Sequence, residues 1–343
     1  MKKSLFVLLS VLVLSSLILS ACAQPTAAPT AAPVEPEPPV ATEAPAEPTA
    51  APTEAPKELG TPDNPIVIAL APSATAEQLT VGGDAIAAKL NELTGYTFEV
   101  VIPNSYTALI EAMASGNAHV GFMPTLAYLL GKQAEAMDVQ LVVVRNGSDF
   151  YGAQFLANVD SGFTPYFDPE TNTNTADAAT ALAQFDGKRP CFTDPLSVSG
   201  YVIPSGVLKE QGVSFKTPAA VQGHPAVVAA LYVGGICDFG ATYIDARTSD
   251  KTHADVFEKI QVIWRTDNII PNDNVSFSTA MPEEIGMKVK EGLLAMSDSE
   301  DGREILKNAG YEIEGLKEAE DSFYDAFRSA LQASGVDITT MVK

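Results

Sequence analysis

Two serines separated by one residue and followed at once by a glycine occur in the run Cys191-Phe192-Thr193-Asp194-Pro195-Leu196-Ser197-Val198-Ser199-Gly200-Tyr201-Val202-Ile203-Pro204. The run reads as a strand end, a turn closed by Asp194-Pro195, and a short helix opened by Ser197 as N-cap and stopped near Pro204. A helix start leaves backbone N–H groups unpartnered and carries a partial positive charge, so small hydroxyl residues there make a compact anion seat. A capping role for Ser197 alone is the plainer alternative. The same serines, taken with His224 and Asp245, also supply the residue types of a nucleophile and its base. No Gly-x-Ser-x-Gly elbow surrounds either serine and no nucleotide loop is present, which favours anion binding over hydrolysis. His119, His224 and His253 are scattered without metal-ligand spacing, and the oxygen-rich stretch Asp160 to Asp177 lacks the acidic spacing and the glycine of a calcium loop. No metal and no other cofactor is expected.

The elements that must position this seat alternate in type. Ile66-Val67-Ile68-Ala69-Leu70 reads as a buried strand, Ser73 to Leu93 as a helix ending at Gly95, Tyr96 to Ile102 as a strand and Tyr106 to Ser115 as a helix. Such alternation implies parallel strands with helices on both faces. Ligands sit at the strand carboxyl ends of such sheets, which puts Ser73 and the Asn104-Ser105-Tyr106 turn among the pocket positions. Phe122-Met123-Pro124-Thr125 ends a strand and opens a helix to about Ala136; Val139 to Val144 and Phe150 to Ala157 are further strands. A polar surface loop from Asp160 to Asp177 and a short helix from Ala178 to Gln184 lead to the seat. Beyond it Ser205 to Gln211 is helical, and Val221-Gln222-Gly223-His224-Pro225 opens an alanine-rich helix. From that entrance His224 can reach an anion held by Ser197 and Ser199; a solvated histidine is the alternative. Val262 to Thr266 is a returning strand, and Pro282 to Met296, Glu300 to Ala309 and Glu318 to Ala333 are amphipathic helices. The module Gly116-Asn117-Ala118-His119-Val120-Gly121 recurs as Gly235-Ile236-Cys237-Asp238-Phe239-Gly240, either because two halves are built alike or because glycine closes many helices.

At 343 residues the chain suits two lobes of ordinary size. Lys2-Lys3, an apolar run from Leu5 to Leu19 and then Leu19-Ser20-Ala21-Cys22 read as a bacterial lipoprotein signal over residues 1–21 with the lipid on Cys22. An uncut anchor helix would give nearly the same topology. Residues 22–59 are nearly all Ala, Pro, Thr and Glu, the composition of an extended, solvated tether. The formal charge of −22 makes nucleic acid a poor partner and obliges any bound anion to be held by local dipoles against the overall field. With Cys22 taken by lipid, Cys191 and Cys237 are an even pair in an oxidising setting, read as one disulfide within one lobe; two buried free thiols are the alternative.

The segment Asp194 to Pro204 resembles the Ser-Thr-Ser-Gly-Tyr/Phe-x-x-Pro segment of the phosphate/phosphite/phosphonate substrate-binding proteins of ABC importers, with Val198 where that family usually has threonine. The likeness extends from about Ile66 to the last helices. It implies an α/β, two-lobed periplasmic binding protein of the type II kind, each lobe a mostly parallel sheet flanked by helices, with the ligand cleft between lobes. Residues 60–153 and 265–343 would form the first lobe and 154–264 the second. Tyr151 matches an aromatic ring facing the cleft, and His224 matches a Gly-His segment. Asp245 matches a carboxylate that meets a ligand amine, with Arg247 as its partner or solvated, and Asp273 matches an Ile-Pro-x-Asp turn at the cleft edge. Together with Ser73, Tyr106, Ser197, Val198 and Ser199 these are the expected ligand contacts. An Asp245 that faces the cleft favours an ammonium-bearing phosphonate; one that does not favours a small oxyanion. The resemblance implies a receptor rather than an enzyme, anchored outside the cytoplasm, which closes on an oxyanion and delivers it to a permease and its ATPase. A monomer is expected, and a module reporting to a sensor is the alternative to import.

Overall fold

The structure is a computed structural model that describes residues 57–333; the expected signal, the lipid-carrying Cys22 and nearly all of the tether lie outside the described residues. None of the described helices is long and apolar enough to cross a membrane.

The alternating sequence pattern yields alternating elements. β1 (Ile66–Leu70), α1 (Ala76–Thr94), β2 (Phe98–Val101), α2 (Tyr106–Ala114), β3 (Val120–Met123), α3 (Thr125–Gln133) and β4 (Met137–Val144) follow in order. Helix α1 opens with a reciprocal capping box between Thr75 and Gln78 and closes at Gly95 in the left-handed conformation. The chain then crosses to a second lobe through β5 (Phe150–Tyr151) and β6 (Ala153–Asn158). Gly152 separates these strands because a Cβ there would stand 2.9 Å from the Thr266 carbonyl oxygen, so the outgoing and returning segments touch backbone to backbone. The expected loop over 160–177 contains a small hairpin, β7 (Phe167–Asp168) with β8 (Thr173–Asn174). Next come α4 (Ala178–Leu182), β9 (Pro190–Phe192), α5 (Val198–Val202 as a π-helical turn, Ile203–Glu210 as α-helix) and β10 (Ala219–Ala220). The lobe ends with α6 (His224–Val233), β11 (Phe239–Tyr243), α7 (Val256–Lys259) and β12 (Ile260–Arg265). The return runs through β13 (Ile270–Pro271) and β14 (Asn274–Ser278) to α8 (Glu283–Asp298), α9 (Glu300–Asn308), β15 (Gly315–Glu318) and α10 (Asp325–Ala333).

Two sequence expectations are corrected. The helix after the seat does not stop near Pro204. The chain passes through the π-helical turn Val198–Val202, where the Val202 N–H reaches back to the Ser197 carbonyl, and the α-helix starts afresh at Ile203 with Pro204 in its first turn, where a missing N–H costs little, so the helix runs on to Glu210. The last helix does not start at Glu318: Gly315–Glu318 pairs antiparallel with β4 and forms a sheet edge.

The first sheet has the order β15-β4-β14-β3-β1-β2 and the second β10-β9-β11-β6-β12. Each contains a parallel triplet of the same topology, β2-β1-β3 and β10-β9-β11, joined on its inner side to an antiparallel strand that arrives from the other lobe, β14 or β6. The repeated glycine modules lead into β3 and β11, which hold equivalent places in the two triplets; the two halves are built alike. Period-two alternation divides the first-lobe core: Ile66, Ile68 and Leu70 pack with Leu79, Ile86, Leu293 and Met296, while Val67 and Ala69 face Tyr106, Leu109 and Met113. In the second lobe Phe155, Phe185, Phe192 and Phe239 fill one side of the sheet, and Leu156, Val227 and Leu231 the other. Cys191 on β9 is bonded to Cys237 just ahead of β11, so the disulfide ties neighbouring parts of one lobe.

Candidate functional site

Strand carboxyl ends and helix starts from both lobes meet at one cavity. Ser73 follows β1, Tyr106 opens α2, Pro124 follows β3 and Arg145 follows β4. From the second lobe, Ser197, Val198 and Ser199 open α5, His224 opens α6 and Tyr243 ends β11. Tyr151 and Asp273 come from the crossing segments, and Gly310 and Tyr311 from the turn after α9. The lobes are in contact around it. The Tyr106 N–H donates to Asp194 Oδ2 at 3.1 Å, the His224 N–H to the Ser73 carbonyl at 3.1 Å, and the Thr248 hydroxyl to Glu312 Oε1 at 2.8 Å. The cavity offers about 20 Å³ to the centres of water-sized atoms. Space in which such centres can move exceeds what a single fixed water occupies, so a compact group of a few heavy atoms fits.

The seat is assembled by the start of α5. Ser197 Oγ accepts the Gly200 N–H at 3.2 Å, which leaves its own proton for another acceptor. The Tyr201 and Val202 N–H groups both reach the Ser197 carbonyl, each at 3.0 Å. Those of Val198 and Ser199 lie ahead of the first helical bonds, where N–H groups face a ligand. The Val198 side chain is buried in an apolar cluster with Leu196, Val202 and Tyr106, so valine in place of threonine removes a hydroxyl but keeps the backbone donor.

His224 is 4% exposed, and its Nδ1 accepts the Tyr243 N–H at 3.4 Å, which puts the ring proton on Nε2. Burial, aided by the Arg145 charge, lowers its pKa to about 3, so the ring is a neutral donor at any pH the protein meets near neutrality. Burial also holds the Tyr106, Tyr151 and Tyr311 hydroxyls well above the ordinary tyrosine range and pushes Tyr243 up to about 12, leaving all four protonated. Arg145 Nη2 lies 2.7 Å from Asp273 Oδ2. Burial opposes the arginine charge, but the Asp273 carboxylate more than offsets this and raises its pKa above the usual value. The cavity wall therefore carries one ion pair and is otherwise neutral and rich in donors.

Of the residues singled out in the sequence, Ser73, Tyr106, Tyr151, Ser197, Val198, Ser199, His224 and Asp273 line this cavity. Asp245 does not. Its carboxylate accepts from Arg247 Nε at 3.0 Å, Gln154 Nε2 at 3.0 Å and Arg265 Nη2 at 3.1 Å, a set of partners that turns it into the lobe. Burial would raise its pKa, yet these donors hold it below the ordinary carboxylate value. Arg145, Tyr243 and Tyr311 were not anticipated. Arg145 stands at the carboxyl end of a correctly read strand, which is a usable signal; Tyr311 reaches the site only through tertiary packing and has none. The imidazole has no carboxylate bonded to it among the described residues, His119 Nδ1 accepts the Val67 N–H and His253 pairs with Asp250. No cluster of metal-binding residues occurs among the described residues.

A family model for the periplasmic substrate-binding protein of phosphonate ABC transporters matches residues 68–324. The phosphate-import protein PhnD of Mycolicibacterium smegmatis is 28% identical over 221 residues, covering 60% of this chain and 63% of that protein, so the chain spans a little under two thirds of this relative's length. Among solved structures, a binding-protein component of an ABC phosphonate transporter from Pseudomonas aeruginosa superposes with a TM-score of 0.68 at 16% identity, over 79% of this chain and 86% of that one. PhnD1 from Prochlorococcus marinus in complex with methylphosphonate gives a TM-score of 0.68 at 14% identity, over 79% and 98% of the two chains. Likeness at these identities concerns the fold.

Proposed function

The chain belongs to the family of periplasmic substrate-binding proteins of phosphonate ABC transporters, and from that membership we propose that it captures a small tetrahedral phosphorus oxyanion, phosphate, phosphite or a phosphonate, between its two lobes for delivery to a permease and its ATPase. The observation that carries this reading is the start of α5 facing a small cavity lined from both lobes, with the neutral His224 ring beside it and no excess of anionic groups. Ligand favours the closed lobes by binding them better than the open ones, and closure is the form offered to the permease. Residues 60–153 and 265–343 act as one lobe and 154–264 as the other, a division supported by the crossings at Gly152 and after Arg265. Lipid on Cys22 and the Ala/Pro/Thr/Glu tether of residues 22–59 hold this receptor outside the cytoplasm as a monomer.

Hydrolysis is disfavoured by the same geometry. A ring whose pKa is about 3 is a weak general base, and Asp245, the third member of such a relay, is held by Arg247, Arg265 and Gln154.

The test is thermal unfolding of the full-length protein with phosphate, phosphite, methylphosphonate and 2-aminoethylphosphonate, with calorimetry on each hit. Ligand at about 100 times its Kd stabilises the folded state by about 2.7 kcal/mol, a shift of several degrees. Ser199→Ala with His224→Ala is expected to abolish the shift and keep the fold; undiminished affinity in that variant would remove the site assignment.

A further inference from the structure

A carboxylate in an oxyanion site serves as the counter-charge for a cationic substituent on the ligand. Two carboxylates could take that part, and arginine already engages both. Asp245 is held by Arg247 and Arg265 and does not reach the cavity. Asp273 lines the cavity, but Arg145 Nη2 stands 2.7 Å from its Oδ2. Arg145 lines the cavity as well. Its side chain is 12% exposed, and its Nε–H is buried without a hydrogen-bond partner among the described residues. A guanidinium offers five N–H donors in a fixed fork, so Asp273 leaves donors of Arg145 unmet. Arg145 belongs to the first-lobe wall and the serines to the second, so a ligand is gripped from both sides.

We propose that Arg145 is the specificity-determining residue of this site: its guanidinium requires an oxygen acceptor on the ligand face turned away from Ser197, Val198 and Ser199, so the protein takes inorganic phosphate and discriminates against phosphonates that carry an alkyl or ammonium group there. The inference rests on the oxyanion reading above and narrows it. An alkyl group against the guanidinium leaves buried charged donors without acceptors, and an ammonium there meets a like charge in a poorly solvated space. Four oxygens on phosphorus satisfy both walls, and a compact ion of this kind suits the small cavity.

The experiment is calorimetry on the full-length protein with phosphate, methylphosphonate and 2-aminoethylphosphonate, comparing the native chain, Arg145→Gln and the double variant Arg145→Gln/Asp273→Asn. The native chain is expected to bind phosphate at least about tenfold tighter than either phosphonate. Arg145→Gln is expected to weaken phosphate by about ten- to a hundredfold and, by releasing the Asp273 carboxylate, to tighten 2-aminoethylphosphonate, reversing the order. In the double variant the preference for phosphate disappears without any gain for the ammonium ligand. Should Arg145→Gln fail to fold, the double variant decides alone: a retained phosphate preference overturns the proposal, and its loss upholds it. A native chain that binds either phosphonate as tightly as phosphate, or an Arg145→Gln chain that weakens all three ligands by one factor, overturns the role of Arg145 and leaves the oxyanion reading standing. A native chain that binds none of them overturns the oxyanion reading itself.

Discussion

His224 is buried as a neutral ring, with its pKa at about 3 in the folded chain against about 6.5 when unfolded. Between those values the unfolded state binds more protons than the folded one, so the stability this residue supports is present above about pH 6.5 and is lost as the pH falls toward 3. Between pH 7 and pH 5 the native chain should lose about 2 kcal/mol more than His224→Gln in denaturant titrations. Equal losses in the two proteins would mean that the ring is solvated or charged. Ligand affinity follows a different rule: a donor that stays neutral from pH 5 to 8 contributes no pH dependence of its own over that range, so any dependence there comes from the ligand's protons. Single residues also mark where the sequence could be read and where it could not. Ser197, Ser199 and His224 sit at element starts, and local spacing suffices to find them. Local spacing does not place Asp245, because two of its partners, Gln154 and Arg265, lie 91 and 20 residues away, nor does it reveal Arg145, whose counter-ion is 128 residues distant.

At the scale of elements, α2 and α6 are counterparts, each following the outer strand of a parallel triplet and each presenting its first residue, Tyr106 or His224, to the cavity. The entry to α6 depends on Gly223, whose φ of +79° and ψ of 163° fall in a region essentially reserved for glycine. A Cβ there would also stand 3.0 Å from the Ser73 carbonyl oxygen across the cleft. Gly223→Ala is therefore expected to cost about 1–3 kcal/mol of stability through backbone strain and, separately, to hold the lobes apart. Small-angle scattering at saturating ligand reads the second effect, and a variant that is less stable yet still contracts on binding would deny the glycine its part in closure. Regular elements with strong periodicity, β1, α1 and β4, were legible in the chain from their own residues. The edge strand β15 was not, because Gly315–Glu318 carries no alternation of its own and is defined by pairing with β4. The stretch after Pro204 reads as helical from its own residues, but its join to the seat does not, because a proline in the first turn of an α-helix looks like a stop when the π-helical turn before it is unknown.

For the whole molecule the proposed organisation is an anchor, a tether and a two-lobed receptor. Cys22→Ser is expected to move the protein from the membrane fraction to the soluble one; a variant that stays with membranes and keeps its N-terminus would point to an uncut anchor helix instead. The folded part closes by a short link. Strand β5 pairs with β13, Tyr151 opposite Ile270 and Phe150 opposite Pro271, and the same Tyr151 lines the cavity. On the proposed reading, two adjoining straps would favour one direction of swing for the second lobe, with the ligand beside the pivot rather than out at the rim. An assembly hinged in that way would be geared like a short crank on a long arm: a displacement of an ångström at a bound ion would be multiplied at the far edge of the lobe, where a docking partner would meet it.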